Sequence, residues 1–182
     1  MTTQFTPNMR NGALDQMETV MGVSPTMTIR SGLPPVDATA AATGIVLATI
    51  VLPSDWLANA SAGAKLLSGT WQDLSADASG RAGYYRLTGT GTVQGLVSEP
   101  YQASKVYAIN DQVHTSGNIY RASVAGTSGA ASAPTGTGGS ITDGGVTWAF
   151  VQTGFDMTVD NASFNITQQV NVTGYQWAIG GA

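Results

Sequence analysis

Residues 100–122 read Pro-Tyr-Gln-Ala-Ser-Lys-Val-Tyr-Ala-Ile-Asn-Asp-Gln-Val-His-Thr-Ser-Gly-Asn-Ile-Tyr-Arg-Ala, and residues 142–151 read Thr-Asp-Gly-Gly-Val-Thr-Trp-Ala-Phe-Val. Short runs with β-branched and aromatic residues, separated by turn residues, predict a few short strands. The pattern on either side is that of one β domain that this stretch interrupts. We therefore predict a host domain, residues 1–98 and 152–182, carrying an inserted module, residues 99–151.

The host begins with a predicted helix. Residues 8–21 place Met9, Ala13 and Met17 four residues apart on one face, and Gly22 follows as a natural end. We expect this methionine-rich face to cover one end of the core. The alternative is an adaptable surface for a partner, because methionine side chains are flexible and polarisable.

The remaining host pattern predicts strands. Residues 44–52 form a continuous apolar run that favours a strand buried on both faces. Residues 81–87 and 92–97 predict a hairpin, and a change of phase at residues 168–169 predicts a turn or bulge between two strands. The expected fold is all-β: an antiparallel β-sandwich of jelly-roll type with one short N-terminal helix and an inserted three-stranded module. The strand ends near Val97 and Phe155 should lie close together, at the outer rim of the sandwich.

Composition narrows the functional classes. The chain has 182 residues, 7 basic and 11 acidic side chains, a net charge of -4 and no cysteine. A surface of small neutral polar groups suggests packing against other protein subunits. The basic residues are not clustered, so the sequence does not indicate nucleic-acid binding. No secretory signal or membrane-length apolar run is present, so we expect synthesis in the cytoplasm and no membrane partner.

Catalytic and metal-binding patterns are weak. His114 is the sole histidine, and no serine or aspartate stands in a recognisable triad arrangement with it, so we expect a surface or turn residue. The pairs Asp73/Asp77 and Asp156/Asp160 are each spaced by four but lie in turn or strand contexts. We expect no enzyme and no cofactor, with a calcium site at residues 156–161 as a minor alternative.

The host resembles a family of small virion proteins of tailed bacteriophages. The resemblance is carried by residues 75–87 (Ser-Ala-Asp-Ala-Ser-Gly-Arg-Ala-Gly-Tyr-Tyr-Arg-Leu), 156–161 (Asp-Met-Thr-Val-Asp-Asn) and 170–177 (Val-Asn-Val-Thr-Gly-Tyr-Gln-Trp). It implies a structural part of the particle. A capsid decoration (cement) protein on the capsid exterior is favoured over a tail or collar component, with the major capsid protein as partner and a homo-oligomer, a trimer rather than a dimer.

The insert is similar to the small chitin-binding modules of bacterial chitinases. The similarity lies in Tyr101-x5-Tyr107-x3-Asp111-x-Val113, in residues 117–121 and in Asp143-Gly-Gly-Val-Thr-Trp148. It implies aromatic rings displayed to sugar faces, with Tyr107, Tyr120 and Trp148 as candidate glycan-binding residues. The competing interpretation is that these rings build the module's own small core. A glycan-binding adhesion protein that contacts host-surface glycans is therefore the alternative function.

Overall fold

The computed structural model describes residues 4–131 and 133–179; the remaining residues of the predicted host and insert, 1–3, 132 and 180–182, lie outside this range. Within it the protein is an all-β fold with one helix, as the sequence predicts. Helix α1 spans Pro7–Met21. The strands are β1 Thr26–Ser31, β2 Val46–Val51, β3 Ala64–Leu66, β4 Gln72–Asp73, β5 Gly80–Thr88, β6 Thr92–Pro100, β7 Val106–Tyr107, β8 Gln112–Thr115, β9 Asn118–Val124, β10 Gly126–Thr127, β11 Ile141–Asp143, β12 Val146–Thr153, β13 Met157–Val159, β14 Ser163–Phe164 and β15 Val170–Ala178.

Helix α1 matches its predicted bounds. Pro7 stands in its first turn, where the missing N–H costs nothing. Gly22 ends the helix with a φ of 89°, and its N–H donates to Glu18 O at 3.0 Å. Both signals were readable from the sequence.

Strand β6 is one of the branching points of the main sheet, which contains thirteen of the described strands. Its first half pairs antiparallel with β5, from Thr92 to Leu96, which confirms the predicted hairpin. Its second half pairs in parallel with β13 through Val97 and Ser98, and with β8 through Glu99 and Pro100. The described sheet therefore runs without a break from the predicted host into the predicted insert.

The two sides of the interruption meet as predicted. Val97 pairs with Met157, so the strand leaving for the insert and the strand returning from it are neighbours. They run parallel because the insert carries the chain back to the same end before β13 begins. The insert has more strands than the three expected: β8, β9, β12 and β11 lie in the main sheet, and β7 pairs with β10 beside them.

Strand β2 corrects one expectation. It is not buried on both faces, because Thr49 and Val51 are exposed, and in the described sheet it pairs only with β1. Its outer edge is covered by β4 and the segment that follows it. Thr49 N donates to Asp73 Oδ2 at 2.9 Å, and Asp77 N donates to Leu47 O at 2.9 Å. These bonds occupy groups of an edge that would otherwise be open to another strand.

The turn predicted near residues 168–169 is present. Thr167 has a φ of 69°, and β14 and β15 lie on either side of it. A register shift in the pairing of β13 with β15 moves the buried positions of β15 from Val170 and Val172 to Tyr175 and Trp177. The even-numbered residues at the start of β15 and the odd-numbered residues at its end therefore face the same core.

Two clusters of buried side chains fill the interior. The larger contains a set of aromatic rings at its centre, and all of its described members lie outside residues 99–151. The contacting rings are Trp56, Trp71, Tyr85, Tyr175 and Trp177, with centroids 4.7 to 6.2 Å apart. The smaller cluster lies wholly within the insert. No helix in the described part of the chain has the length and apolar character needed to cross a membrane.

Gly83 on β5 tests the close packing of the main sheet. A Cβ at this buried position would lie 1.9 Å from Gly32 O, so Gly83→Ala must push two backbone segments apart. We expect a loss of about 1–3 kcal/mol in the free energy of unfolding, measured by urea titration of tryptophan fluorescence. Gly91→Ala in the adjoining turn, where a Cβ has nothing within 4 Å, should change it by less than about 0.5 kcal/mol. Equal effects of the two substitutions would contradict this packing.

Candidate functional site

The three predicted sugar-binding rings are buried. Tyr107, Tyr120 and Trp148 each have 0% exposure and belong to the insert's own cluster. Tyr107 and Trp148 meet edge to face at 4.9 Å, and burial raises the pKa of Tyr107 to about 12. A sugar needs an open ring face, which none of the three offers. The expectation that these rings stack on glycans is therefore wrong, because a module of about 50 residues needs its largest side chains for its core.

Asp143 holds the insert's core together. Its Oδ2 accepts hydrogen bonds from Tyr101 Oη at 2.9 Å and from Trp148 Nε1 at 3.1 Å, and its Oδ1 accepts one from Gly129 N at 2.7 Å. The adjoining Gly144 has a φ of 61°, and a Cβ there would lie 2.7 Å from Gly129 N. The Asp-Gly-Gly-Val-Thr-Trp motif thus has a structural purpose, which the sequence analysis did not assign to Asp143.

A cluster of buried charges joins the insert to the rest of the protein; we call it the junction cluster. Glu99, with 0% exposure, lies at its centre at the end of β6. Its Oε1 accepts hydrogen bonds from Arg81 Nη2 at 2.6 Å and Lys105 Nζ at 2.7 Å, and its Oε2 accepts one from Ala162 N at 2.9 Å. Arg81 belongs to β5 of the host pattern and also pairs with Asp111 of the insert. The three partners of Glu99 therefore come from three different segments of the chain.

The junction cluster keeps its central carboxylate charged. Burial acts to raise the pKa of Glu99, but the hydrogen bonds from Ala162, Lys105 and Arg81 outweigh it and leave the pKa below its usual value. Burial dominates at Asp111 and raises its pKa. Arg81 and Lys105 also lie 5.9 Å and 5.4 Å from the centroid of the Tyr107 ring, which links the charges to the insert's core.

His114 lies on β8 and is half-buried, where the sequence predicted a surface or turn residue. Its Nδ1 is 3.0 Å from Ser98 Oγ, and burial is the main cause that lowers its pKa. Ser98 itself has 0% exposure, so a substrate has no access to its hydroxyl. The pair links β6 to β8 beside the junction cluster.

The carboxylate pairs also serve internal contacts. Asp73 and Asp77 bind Thr49 on β2, at 2.9 Å and 2.7 Å. Asp156 accepts hydrogen bonds from Leu96 N and from Gln152 Nε2, so each of its oxygens has a donor. Across the part of the chain that the structure covers, no three His, Cys, Asp or Glu side chains stand close enough to hold a metal ion.

Each charged side chain of helix α1 contacts another segment of the protein. Lys65 on β3 is buried and bonds Asp15 Oδ1 and Glu18 Oε2, each at 2.6 Å. Burial acts to lower the pKa of Lys65, but the two acids outweigh it and leave the pKa raised. Arg10 Nη1 donates to Ile179 O at 3.4 Å, and Asn11 Oδ1 accepts a hydrogen bond from Gly63 N at 2.8 Å.

The opposite side of α1 is apolar and exposed; we call Met9, Ala13, Met17 and Val20 its outer face. Met9 is 60% exposed, Met17 44% and Val20 56%, while Leu14 and Met21 are the buried apolar residues of the helix. The expectation that the methionine face covers the core is therefore wrong, because Leu14 and Met21, together with Glu18 at the buried Lys65, form the inward side of the helix. A groove of about 480 Å³ lies beside this face, between α1, residues 91–93 and Trp177.

Comparison with protein-family models, with curated proteins and with solved structures finds no match for this chain.

Asp143→Ala should loosen the insert selectively. It removes the acceptor for three donors, one of them in the buried Trp148 ring and one in the half-buried Tyr101 ring, at an expected cost of about 3 kcal/mol. Hydrogen exchange of the β9 and β12 amides should accelerate, while the β1 and β5 amides stay protected. Thr142→Ala, an exposed neighbour on the same strand, is the control and should change neither set. Equal acceleration in β1 and β5 would show that the two cores unfold together and would contradict the prediction.

Glu99→Gln should destabilise the fold by about 3 kcal/mol at neutral pH, because the cations keep their places without their counter-charge. The pKa of Glu99 is lowered in the folded state, so its stabilising contribution is full above its unfolded value of about 4.5 and is lost as pH falls through the folded value. The difference between wild type and variant in urea unfolding should therefore shrink in acid. The pKa of Asp111 is raised in the folded state, so protonation of Asp111 favours the folded state as pH falls. Wild type and variant share this effect, and comparing them at each pH cancels it.

Asp55→Asn is the control for Glu99→Gln, because Asp55 is an exposed acid away from the junction cluster. It should leave the free energy of unfolding within about 0.5 kcal/mol of wild type. A Glu99→Gln effect that stays constant from pH 7 to pH 3 would contradict the assignment.

Proposed function

We propose that this protein is a non-enzymatic structural component of a tailed bacteriophage particle, a decoration protein that binds the major capsid protein lattice on the capsid exterior. The observation that carries the proposal is the outer face of α1, an exposed apolar helix surface beside an apolar groove. Such a surface marks a contact with another protein. Full burial of a valine or methionine side chain contributes about 1.5–3 kcal/mol, so a few such contacts repeated over a lattice suffice for stable attachment.

The charge distribution supports the same function. The chain has 18 charged side chains in 182 residues, and those of α1 are directed at Lys65 and Ile179. A protein that stays apart from its neighbours in solution relies on surface charge. This one leaves neutral and apolar groups outward, which suits a subunit that works by packing against others.

The architecture that we propose is a host of residues 1–98 and 152–182, an antiparallel β-sandwich of jelly-roll type, with residues 99–151 as an inserted small β module. The separate aromatic cluster of the insert and the junction cluster support this division. On this view the insert projects from the capsid as a rigidly held knob. Its buried rings speak against a role in glycan binding.

Particle binding tests the proposal. Val20→Glu places a charge on the outer face and should lower the amount of protein bound to purified capsids at least about tenfold, equivalent to about 1.4 kcal/mol. Val106→Glu is the matched control, since Val106 is 72% exposed on the insert. It should bind like wild type. Binding is measured by sedimentation of capsids with each protein, and cryo-electron microscopy of decorated particles locates the chain.

A chain found only on the tail or collar would overturn the capsid assignment. Equal losses for Val20→Glu and Val106→Glu would remove the outer face of α1 from the docking surface. Folding of both variants is checked by urea unfolding, so that a loss of binding is not a loss of structure.

A further inference from the structure

We propose that a lysine side chain of the major capsid protein enters a small cavity beside the outer face of α1 and pairs there with Asp156. This contact rests on the proposed function, because it takes the capsid protein as the partner, and it adds the chemistry of the partner side chain. Three observations support it: the lining of the cavity, the missing counter-charge of Asp156 and the sign of the charges that this chain leaves exposed.

The cavity is a branch of the groove beside α1; we call it the side cavity. It has a volume of about 240 Å³ and lies between α1, the first half of β6 and the end of β15. It shares Met17, Val93 and Trp177 with the larger groove, so the two spaces are neighbours. Most of its lining is aliphatic or aromatic, and Asp156 is the one charged residue among the described residues that line it. A partner that covers the outer face of α1 therefore lies over the side cavity as well.

Asp156 has no cation of its own. Its oxygens accept hydrogen bonds from Leu96 N at 2.9 Å and from Gln152 Nε2 at 3.1 Å, which hold the carboxylate in place. A carboxylate offers about four lone-pair positions, so each oxygen can accept a further donor. None of the ion pairs among the described residues includes Asp156. Its charge is therefore available to a cation that enters the side cavity.

The lining fits a lysine better than an arginine. The hydrocarbon stem of a lysine can pack against Met17 and Val93 while its ammonium group reaches the carboxylate. The two-point pairing that favours arginine uses both carboxylate oxygens, and in Asp156 each oxygen already has a donor. An ammonium group is a compact charge that needs one acceptor oxygen. Gln176, which also lines the side cavity, offers an amide oxygen as a further acceptor.

A second copy of this chain does not supply this cation. Each of the seven basic side chains is buried or half-buried, and six of them donate to acceptors of their own chain. The seventh, Arg121, is half-buried on the sheet of the insert. The charged residues that stay exposed in the described chain are all acidic: Asp15, Asp37, Asp55, Asp77 and Asp160. Charge complementarity therefore selects a different protein with a basic surface.

Removal of the Asp156 charge tests the pairing. Asp156→Asn keeps the size of the side chain and an acceptor for Leu96 N, and it should raise the dissociation constant for purified capsids at least about tenfold. Asp160→Asn is the matched control, because it makes the same charge change at an exposed acid just after β13. It should bind within about twofold of wild type, since an exposed charge contributes little. Binding is measured by sedimentation of capsids, and equal losses for the two variants would overturn the pairing.

Acetylation of the capsid tests the lysine without altering this protein. Purified capsids treated with N-hydroxysuccinimidyl acetate lose the positive charge of their accessible lysines. Wild-type binding should fall to the level of Asp156→Asn, whereas binding of Asp156→Asn should change little, because the two changes remove the same contact. Unchanged wild-type binding, as an arginine partner would give, would overturn the proposal. So would an equal fold loss for wild type and Asp156→Asn.

The two proposals fail separately. Wild-type protein that does not bind capsids would overturn the decoration function. If Val20→Glu loses binding while Asp156→Asn binds like wild type, the decoration function stands and the lysine contact is overturned. Self-association of wild type that Asp156→Asn abolishes would place a second copy in the side cavity and would also overturn the lysine contact.

Discussion

The structure depends on a buried carboxylate at the end of a shared strand. Strand β6 begins as half of a hairpin with β5 and ends between β13 and β8, so the chain enters the insert without leaving the sheet. Glu99 stands at that end and binds Arg81, Lys105 and the Ala162 amide. A buried charge is tolerated only when its hydrogen bonds are complete. Because its donors come from three segments, Glu99 is satisfied only when the segments before, within and after the insert are all in place.

A second buried charge helps to fix the orientation of helix α1. Lys65 on β3 is buried, and its charge has to be met by Asp15 and Glu18. Glu18 is half-buried against it, whereas the Asp15 side chain reaches it from the flank of the helix and stays 51% exposed. With Leu14, Glu18 and Met21 on the inward side of the helix, Met9, Met17 and Val20 lie on the outward side. The exposure of this apolar face is thus linked to a contact with a buried lysine elsewhere in the chain.

Local signals predicted much of the fold, and contacts between distant segments explain what was missed. The bounds of α1, the hairpin of β5 and β6 and the turn at Thr167 follow from turn residues and hydrophobic phase. The closeness of the strand ends near Val97 and Phe155 follows from the interruption of one β pattern, and the structure pairs Val97 with Met157. The orientation of α1 depends on Lys65, fifty residues away from Asp15, which no periodicity reveals. For Tyr107, Tyr120 and Trp148, a sugar platform and a miniature core need the same residue types. Only burial distinguishes the two.

The sharing of β6 also bears on how such a protein can change over time. Residues 101–151 alone would not carry the insert to a new scaffold, because Arg81, which pairs with Asp111 and lies over the Tyr107 ring, is supplied from outside them. A successful transplant needs a recipient hairpin with an arginine at the Arg81 position, a glutamate at the Glu99 position and a returning strand that pairs in parallel. Residues 101–151 can therefore be moved only to a protein that already has this corner of the fold, so these residues and the segments around them are expected to change together.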